Sequence, residues 1–541
     1  QNFMEARMEA VNQESVVAPG DLREAPISLT TTDTNLTGSW KFFRPVLQNR
    51  LSPCRKACPL GNDIPGLMQA VAQEEMDRAL SILRLYNPLP AVTGRVCPNF
   101  CQQECRRGGH DQEVLVGCVE RFLGDFGLDR PFPKPDVLRP EKAAVVGSGP
   151  AGLSAAYFLA TAGIQVSIFE RDPEPGGLLR YGIPAYRLPK NILSREIQNL
   201  TDSLGIDLHL EHPVPESDIP SLVQNFDYIF CAPGLWSSVR PPELPESRLI
   251  IDGLDLLRRI NREERIEAES FAVIGGGNAA VDAARSLIRL GKRVDIIYRR
   301  SFAEMPAYEE EKLQALEEGV NLHERLVVSR VKEENGRLRI LCAQAKSQEG
   351  RIVAGEEAKS LEMDSLVVAA GQAAHMQVPD HERVFCGGDL LLGPATVVQA
   401  MASGRQAALE ILQCVDPVLA RRLDSCDSQV PVVSKTSPCL DYVPKEPPLV
   451  PGQRDLSTRK SGFTEIHPGL RDQEAKQAAS RCLQCGSCTG CGICWFFCPD
   501  VAISLSPEDD PRVHIDAEHC KGCGLCAAVC PRGVIEMEED V

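Results

Sequence analysis

Two glycine-rich turns constrain this chain more than any other feature. GSGPAG at 147–152 follows the apolar run AAVV, and GGGNAA at 275–280 follows FAVI. In each turn the first glycine permits a tight strand-to-helix reversal. The second lets a pyrophosphate approach the backbone, and the third small residue lets helix and strand pack closely. The N-terminus of the following helix then faces the phosphates. Strand and helix patterns alternate from Lys142 to about Gln413. The class expected is therefore α/β, with two Rossmann-like nucleotide-binding domains.

In the first unit Gly147, Ser148, Gly149, Pro150, Ala151 and Gly152 form the expected cradle. Glu170 ends the next strand, where its carboxylate is placed for ribose hydroxyls, and Arg171 follows it. In the second unit the cradle is Gly275, Gly276, Gly277, Asn278 and Ala279, with Ala280 as the third small residue. Its next strand ends in Tyr298, Arg299 and Arg300 and carries no acid. An arginine there binds a 2′-phosphate by charge-assisted hydrogen bonds, where a carboxylate would repel it. The second site is expected to take NADP(H), with NAD(H) as the alternative. Further on, Asp389 follows a strand and Gly388, and a helix begins near Ala395. Asp389 is placed to hold a flavin ribitol. The helix start, with Thr396 and Val397, is placed to stabilise negative charge on a reduced isoalloxazine ring. Gly234 and Gly371 are two further loop glycines expected at the cofactors. The first fold, for FAD, is thus interrupted by an inserted NAD(P)H domain and then resumes.

The chain has 22 cysteines, gathered in short clusters, which is the pattern of metal ligation rather than of a secreted disulfide scaffold. That implies a reducing compartment, the cytoplasm. A net charge of −17 argues against a nucleic-acid partner. The opening QNFMEARMEAVNQE lacks a basic region followed by an apolar run, so no signal peptide is read there. Ala143 to Phe169 contains no charged residue and is long enough to suggest a membrane span. It holds the first glycine turn, and strand–turn–helix–strand is the better reading.

The tail carries two iron–sulfur runs. Cys488, Cys491, Cys494 and Cys498 fit C-x2-C-x2-C-x3-C-P, and Cys520, Cys523, Cys526 and Cys530 repeat it. In such pairs the fourth cysteine of each run ligates the other cluster. One cluster is then expected on Cys488, Cys491, Cys494 and Cys530, the other on Cys520, Cys523, Cys526 and Cys498. Cys482 and Cys485 are left over.

The expected organisation is an N-terminal arm (over about 1–50) and helical Fe–S domain at 1–140, and an FAD domain at 141–255 and 365–414. The NAD(P)H domain lies between, at 256–364. A linker at 415–478, rich in Pro, Ser and charge, leads to a two-cluster ferredoxin domain at 479–541.

Four segments together resemble one family: PGGLLRYGIPAYRLPK (175–190), GGGNAAVDAARSLIRLG (275–291), YRRSFAEMPAYEEE (298–311) and GGDLLLGPATVVQAMASGRQAA (387–408). They are similar to the glutamate synthase small-subunit family. That family includes the corresponding half of dihydropyrimidine dehydrogenase and the large subunit of electron-bifurcating ferredoxin–NADP transhydrogenase. The resemblance covers about residues 38 to 412. It implies FAD on the first fold and NAD(P)H on the second. It also implies two [4Fe-4S] clusters in a cysteine-rich N-terminal domain. Gly176, Gly177 and Arg187 match family positions that line the flavin, with Leu178 beside them. The tail is similar to bacterial two-cluster ferredoxin.

The N-terminal region supplies Cys54, Cys58, Cys97, Cys101 and Cys105, too few for two four-ligand clusters. In the family a Gln or Glu on a following helix completes the second cluster. Glu120 in VLVGCVERF matches that position, with Cys118 two residues earlier as a rival. The family's first cluster uses a C-x2-C pair upstream of C-x3-C, and no cysteine precedes Cys54 here. The family's pair reads RCLxC after an acidic, Ala-rich helix, and EAKQAASRCLQC has that form near the other end. The expectation is that the chain returns, so that Cys482 and Cys485 join Cys54 and Cys105. Cys58, Cys97, Cys101 and Glu120 then form the remaining set, making four clusters. The alternatives for the pair are free thiols or a separate zinc.

The function expected is that of an NAD(P)H-linked flavin/iron–sulfur oxidoreductase subunit. It would pass electrons between NAD(P)H, FAD and the clusters, to or from ferredoxin or a partner subunit of a larger redox complex. No side chain is expected to be catalytic, since hydride chemistry belongs to the cofactors. The alternatives are a component of an electron-bifurcating transhydrogenase and a relay subunit without its own nicotinamide turnover.

Overall fold

The structure, a computed structural model, describes residues 36–348, 351–373, 376–424, 430–433, 439–441, 443–447, 449–506 and 512–540. The expected arm lies outside the described residues up to position 35. Two compact units divide the chain. The larger is Asn49–Ser487 with Pro531–Val534; the smaller combines the chain up to Gln48 with Cys488–Cys530 and Ile535–Val541.

In the larger unit the first sheet has five parallel strands. Their order is Val384–Cys386, Tyr228–Cys231, Lys142–Val146, Gln165–Phe169 and Asp207–His209. Helices cover it, so its central strands are apolar along their length rather than alternating; Ala143, Ala144, Val145 and Val146 are all buried. Ala143–Phe169 is strand, helix and strand, and among the described residues no helix is long and apolar enough to cross a membrane. The chain leaves and re-enters this domain through Ser237–Ser238, which pairs antiparallel with Gln372–Ala373.

The inserted domain has a second parallel sheet: Asn321–Glu324, Arg293–Tyr298, Ser270–Ile274, Ser365–Val368 and Ile250–Asp252. A three-stranded antiparallel sheet, Leu326–Glu334, Arg337–Gln348 and Arg351–Met363, accompanies it. The boundaries expected at 256 and 364 therefore need correction. Ile250–Asp252 and Ser365–Val368 are strands of the nicotinamide sheet, not of the FAD domain. Strands this short carry no fingerprint of their own, and only their pairing assigns them.

The N-terminal helices include Ile64–Ala72, Met76–Arg84, Pro90–Val96 and Val116–Gly127. Ile64–Ala72, Met76–Arg84 and Val116–Gly127 share a core of Leu67, Met68, Leu83, Val119 and Leu123 with Ala475, Ala478 and Ala479 of the helix Asp472–Ser480, while Val92 and Val96 of Pro90–Val96 join the core of the first nucleotide fold. Residues 415–478 are thus no bare linker, which corrects the reading from composition. Leu51 bridges Val432, Ile466 is buried, and Glu465 pairs with both Arg95 and Arg121. Arg459 and Glu465 of this strap find their ion-pair partners far away in sequence, so nothing local announces its burial.

In the smaller unit Phe43–Leu47 pairs antiparallel with Ile535–Glu539, and Ile503–Leu505 with Val513–Ile515. Residues 43–47 therefore belong with the tail rather than with the N-terminal helices, and that unit's tail segment begins at Cys488 rather than 479.

Candidate functional site

A cavity of about 1470 Å³ lies between the two nucleotide folds of the larger unit. Its wall includes Gly147, Gly149, Pro150 and Ala151 from the first turn, and Gly275, Gly276, Gly277, Asn278 and Ala279 from the second. Glu170, Arg171, Gly177, Leu178, Arg187, Gly234, Arg299, Arg300, Gly371, Gly388, Asp389, Thr396 and Val397 also line it. Ser148, Gly152 and Gly176, expected at the cofactor, stand behind the wall and shape it. Ser148 is fully buried; it donates from its backbone and its hydroxyl to Glu170 Oε2, and its Oγ accepts from the Gly176 amide at 2.9 Å. A Cβ on Gly152 would stand 1.9 Å from the Gly147 carbonyl oxygen.

Glu170 is pinned as well as exposed to the cavity, because Oε1 accepts from the Asp172 amide at 3.0 Å. Asp389 opens a short helix, and burial pushes its carboxyl up to about 6 against the Ala395 amide it accepts from. Thr396 caps the long helix Val397–Val415 by accepting from the Gln399 amide. Arg187 has a second engagement that its motif did not announce. Its Nη1 donates to Asp282 at 2.7 Å and its Nε lies 3.1 Å from Glu311, both on the nicotinamide fold. Burial opposes its charge, yet the two carboxylates raise its pKa overall. Arg299 and Arg300 are exposed at the cavity wall, while nearby Glu304 bonds to Ser301.

Sequence reasoning missed Trp236, Tyr308, Asp282 and Val96, which also line the cavity. Trp236 lies under the Arg171 guanidinium, 4.3 Å from its ring centroid. Its only signal was an aromatic two residues past Gly234. Tyr308 stood inside a quoted family segment, and its amide donates to Asn278 Oδ1 at 3.0 Å.

Two groupings of thiols lie in this unit. In one, Cys58, Cys97 and Cys101 all sit within the field of Glu120. Burial pushes Glu120 up to about 7, opposed by donors from Thr93, Asn62 at 3.3 Å and Asn87 at 3.2 Å. Cys118, the rival, feels Arg121 and Glu310 instead. Helix Pro90–Val96, which Cys97 ends, and helix Val116–Gly127, which carries Glu120, are in near contact: a Cβ on Gly94 would lie 2.3 Å from the Arg121 amide nitrogen.

In the other grouping, Cys482, Cys485 and Cys105 act on Cys54, and burial drives that thiol well up. Burial also pushes Cys482 to about 12 and Cys485 to about 11. Arg481, almost fully buried, fixes the pair in place. Its carbonyl accepts from Arg107 Nη1 at 2.7 Å and its Nη2 donates to Asp111 at 2.9 Å. Protein donors reach the sulfurs: Val114 N to Cys105 at 3.5 Å, Asn99 N to Cys97 at 3.4 Å, and the Ser52 hydroxyl within 3.2 Å of Cys54.

In the smaller unit Cys494 feels Cys491, Cys530 and Cys488, and Cys526 feels Cys520, Cys523 and Cys498. Each set of three therefore meets the fourth cysteine of the other run. These sulfur-rich, N–H-supplied donor sets fit [4Fe-4S] groups. Among the described residues no three His, Cys, Asp or Glu side chains are arranged for a single metal ion. Zinc would gather its thiolates at about 2.3 Å, whereas a four-iron cluster spreads them over its corners.

Two nucleotide folds around one cavity, with clustered cysteines toward both ends of the chain, define a pyridine-nucleotide-linked oxidoreductase. Residues 141–391 match the pyridine nucleotide-disulphide oxidoreductase family, 46–131 the dihydropyrimidine dehydrogenase domain II with a 4Fe-4S cluster, and 487–534 a 4Fe-4S dicluster domain. The chain is similar to the beta subunit of the NADP(+)-dependent formate dehydrogenase of Moorella thermoacetica. They are 34% identical over 508 residues, 80% of this chain and 70% of that one. The beta subunit of the NADPH-Fe(3+) oxidoreductase of Geobacter sulfurreducens is 30% identical over 508 residues, 80% of this chain and 75% of that one. Among solved structures, the oxidoreductase FprA of Mycobacterium tuberculosis matches with a TM-score of 0.45 at 17% identity, over 53% of this chain and 87% of its own. The chain belongs to the family of NAD(P)H-linked flavin/iron–sulfur oxidoreductase subunits.

Proposed function

We propose that this chain is the cytoplasmic NADP(H)-linked electron-transfer subunit of a larger redox complex, carrying FAD and four [4Fe-4S] clusters. The observation that carries the reading is a shared wall. Val96 lines the cavity, Cys97 follows it, and Tyr308 on the same wall feels the Cys97 charge. From there Cys101 feels Cys54, so the Glu120 grouping adjoins the grouping that contains Cys482 and Cys485. FAD, when bound, accepts electrons in a pair and releases them singly.

The chain's own residues would do the rest. The turn at Gly147–Gly149 and the helix after it hold the flavin pyrophosphate, and Glu170 its ribose. Asp389 and the helix start at Thr396 and Val397 face the ring end. The turn at Gly275–Gly277 holds the nicotinamide cofactor, and Arg299 and Arg300 receive its 2′-phosphate. Cys54, Cys105, Cys482 and Cys485 hold one cluster; Cys58, Cys97, Cys101 and Glu120 hold another. The two tail runs hold the last pair and offer electrons to ferredoxin or a partner subunit. The relatives' names, each the beta subunit of an NADP-linked enzyme, support a partnered role.

Anaerobic titration of the full holoprotein is the test. NADPH is expected to bleach the flavin and then the broad cluster absorbance, with NADH less effective. If neither nucleotide bleaches the flavin, the chain is a relay without nicotinamide turnover.

A further inference from the structure

The two thiol groupings of the larger unit differ in the charge around them. The Glu120 carboxylate is held by Asn62, Asn87 and Thr93, all neutral. Beside the grouping of Cys54, Cys105, Cys482 and Cys485 stand Arg107, which is paired with Asp111, and two arginines with no acidic partner among the described residues. Arg106 directly follows Cys105, and the Arg532 carbonyl accepts from the Gly486 amide at 2.9 Å, one residue past Cys485. Both guanidinium charges act on Cys485, opposing the burial that raises its thiol, and Arg532 acts on Cys482 as well.

Their hydrogen bonds are incomplete. Arg106 gives Nη2 to the Val433 carbonyl at 2.7 Å. Its Nη1, and Nε of Arg532, are buried with no hydrogen-bond partner among the described residues. Buried donors left unpaired are costly, so native proteins rarely keep them. These two N–H groups, beside one sulfur grouping, are available to donate to cluster sulfur.

We infer that Arg106 and Arg532 make the Cys54, Cys105, Cys482 and Cys485 grouping the higher-potential cluster site of this unit, where electrons arriving from the flavin side collect. The inference rests on the proposed ligation by Cys482 and Cys485. One electron, drawn from the pair that the reduced nicotinamide supplies, adds one negative charge to the site and neither forms nor breaks a bond. Nearby positive charge and donors to sulfur favour the reduced form, as net charge and hydrogen bonding set cluster potentials. The Glu120 grouping has no such offset, since the partners of its carboxylate are neutral.

The test uses full-length, anaerobically prepared holoprotein, with iron analysis and an EPR-monitored redox titration. A Cys482→Ser, Cys485→Ser variant identifies the signal of this site by its loss. Arg532 makes no side-chain hydrogen bond among the described residues, so Arg532→Gln is expected to fold; Arg106→Gln and both Lys variants accompany it. With iron content unchanged, the identified signal should shift about tenfold toward its oxidised form at fixed potential in each Gln variant, about 59 mV downward for one electron. The Lys variants should stay near the original midpoint and the other signals should not move. An unmoved midpoint in Arg532→Gln overturns the inference while leaving the ligation intact. Full iron and every signal retained in the double Cys variant overturns the ligation itself, and the inference with it.

Discussion

Glu318→Gln should loosen the nicotinamide fold from the flavin fold. Glu318 ends the helix Glu309–Glu318, and its side chain, like those of Arg285 and Arg289, is 0% exposed. Arg285 donates to it at 2.9 and 2.7 Å, and Arg289 at 2.7 and 2.8 Å. The two guanidinium groups in turn lie over Tyr186, 5.0 and 3.7 Å from its ring centroid, and Tyr186 precedes Arg187 in the loop that lines the cavity. Glutamine removes the charge and turns an NH₂ donor toward guanidinium donors. Among the described residues, the two buried cations then keep one ion pair, that of Arg285 with Glu311. Removing one member of a buried ion pair costs about 3–5 kcal/mol, a large part of the roughly 5–15 kcal/mol that holds a domain together.

The pH dependence has a defined sign. Burial would raise the Glu318 carboxyl, but Arg285 and Arg289 overcome it and hold the pKa below the ordinary value. Stability from this group is therefore complete above the unfolded glutamate value of about 4.3 and is lost as pH falls through the depressed folded value. Denaturant unfolding of wild type and variant holoprotein, followed at pH 8, 7, 5 and 3.5, should show a gap of about 3–5 kcal/mol that holds to about pH 5 and shrinks below about pH 4. Stopped-flow flavin reduction by NADPH should slow in the variant. A gap under about 1 kcal/mol at pH 7, or one that widens on acidification, refutes the reasoning.

Cys482→Ser with Cys485→Ser should lower iron from about 16 to about 12 atoms per chain, at four per cluster; an unaltered count removes the pair from the ligand set. Arg299→Ala with Arg300→Ala should raise KM for NADPH by about 10–100-fold, since hydrogen bonds to charged groups contribute about 1.5–3 kcal/mol each, and leave KM for NADH within about twofold. An equal loss for both nucleotides rules out a phosphate contact. Gly94→Ala forces the helices Pro90–Val96 and Val116–Gly127 apart, because its Cβ would lie 2.3 Å from the Arg121 amide nitrogen. It should cost about 1–3 kcal/mol and lose the iron of the Glu120 grouping while retaining FAD. Iron analysis and the flavin spectrum of one sample decide it.

The parts of this fold that were legible are those where chemistry fixes both residue type and spacing. A pyrophosphate needs Gly147 and Gly149 with little side-chain volume, and a cluster needs cysteines at short fixed intervals, so both declare themselves locally. The return of Cys482 and Cys485 to the neighbourhood of Cys54 and Cys105 was legible for a different reason: a shortage near Cys54 and a surplus near Cys488 can be compared without knowing the path between them. The strap was illegible because its burial is set by distant partners. Arg459 reads as a surface charge until Glu317 is found 2.8 Å away, and Glu465 until Arg95 and Arg121 are placed around it. Arg187 matched a flavin position by motif, and nothing local announced Asp282 as its partner.

The strap also joins two parts that would otherwise be independent. Between the helix Leu456–Lys460 and Cys485 it pairs Arg459 with Glu317 and His467 with Glu310 on the nicotinamide fold, and Glu465 with Arg95 and Arg121 on the helices that carry Cys97 and Glu120. It ends by placing two thiols against Cys54 and Cys105. Rotation of the nicotinamide fold would have to break Arg187–Asp282, buried at both ends, together with Arg459–Glu317, whose carboxylate is 56% exposed. Separating a buried charge from its partner costs several kcal/mol, against less than about 1 kcal/mol for an exposed pair. The nicotinamide fold is thus held rather than hinged, and the segment that holds it is the one that brings Cys482 and Cys485 back. Electron transfer falls off steeply with distance, and here the same residues fix the cofactor cavity and the thiol groupings.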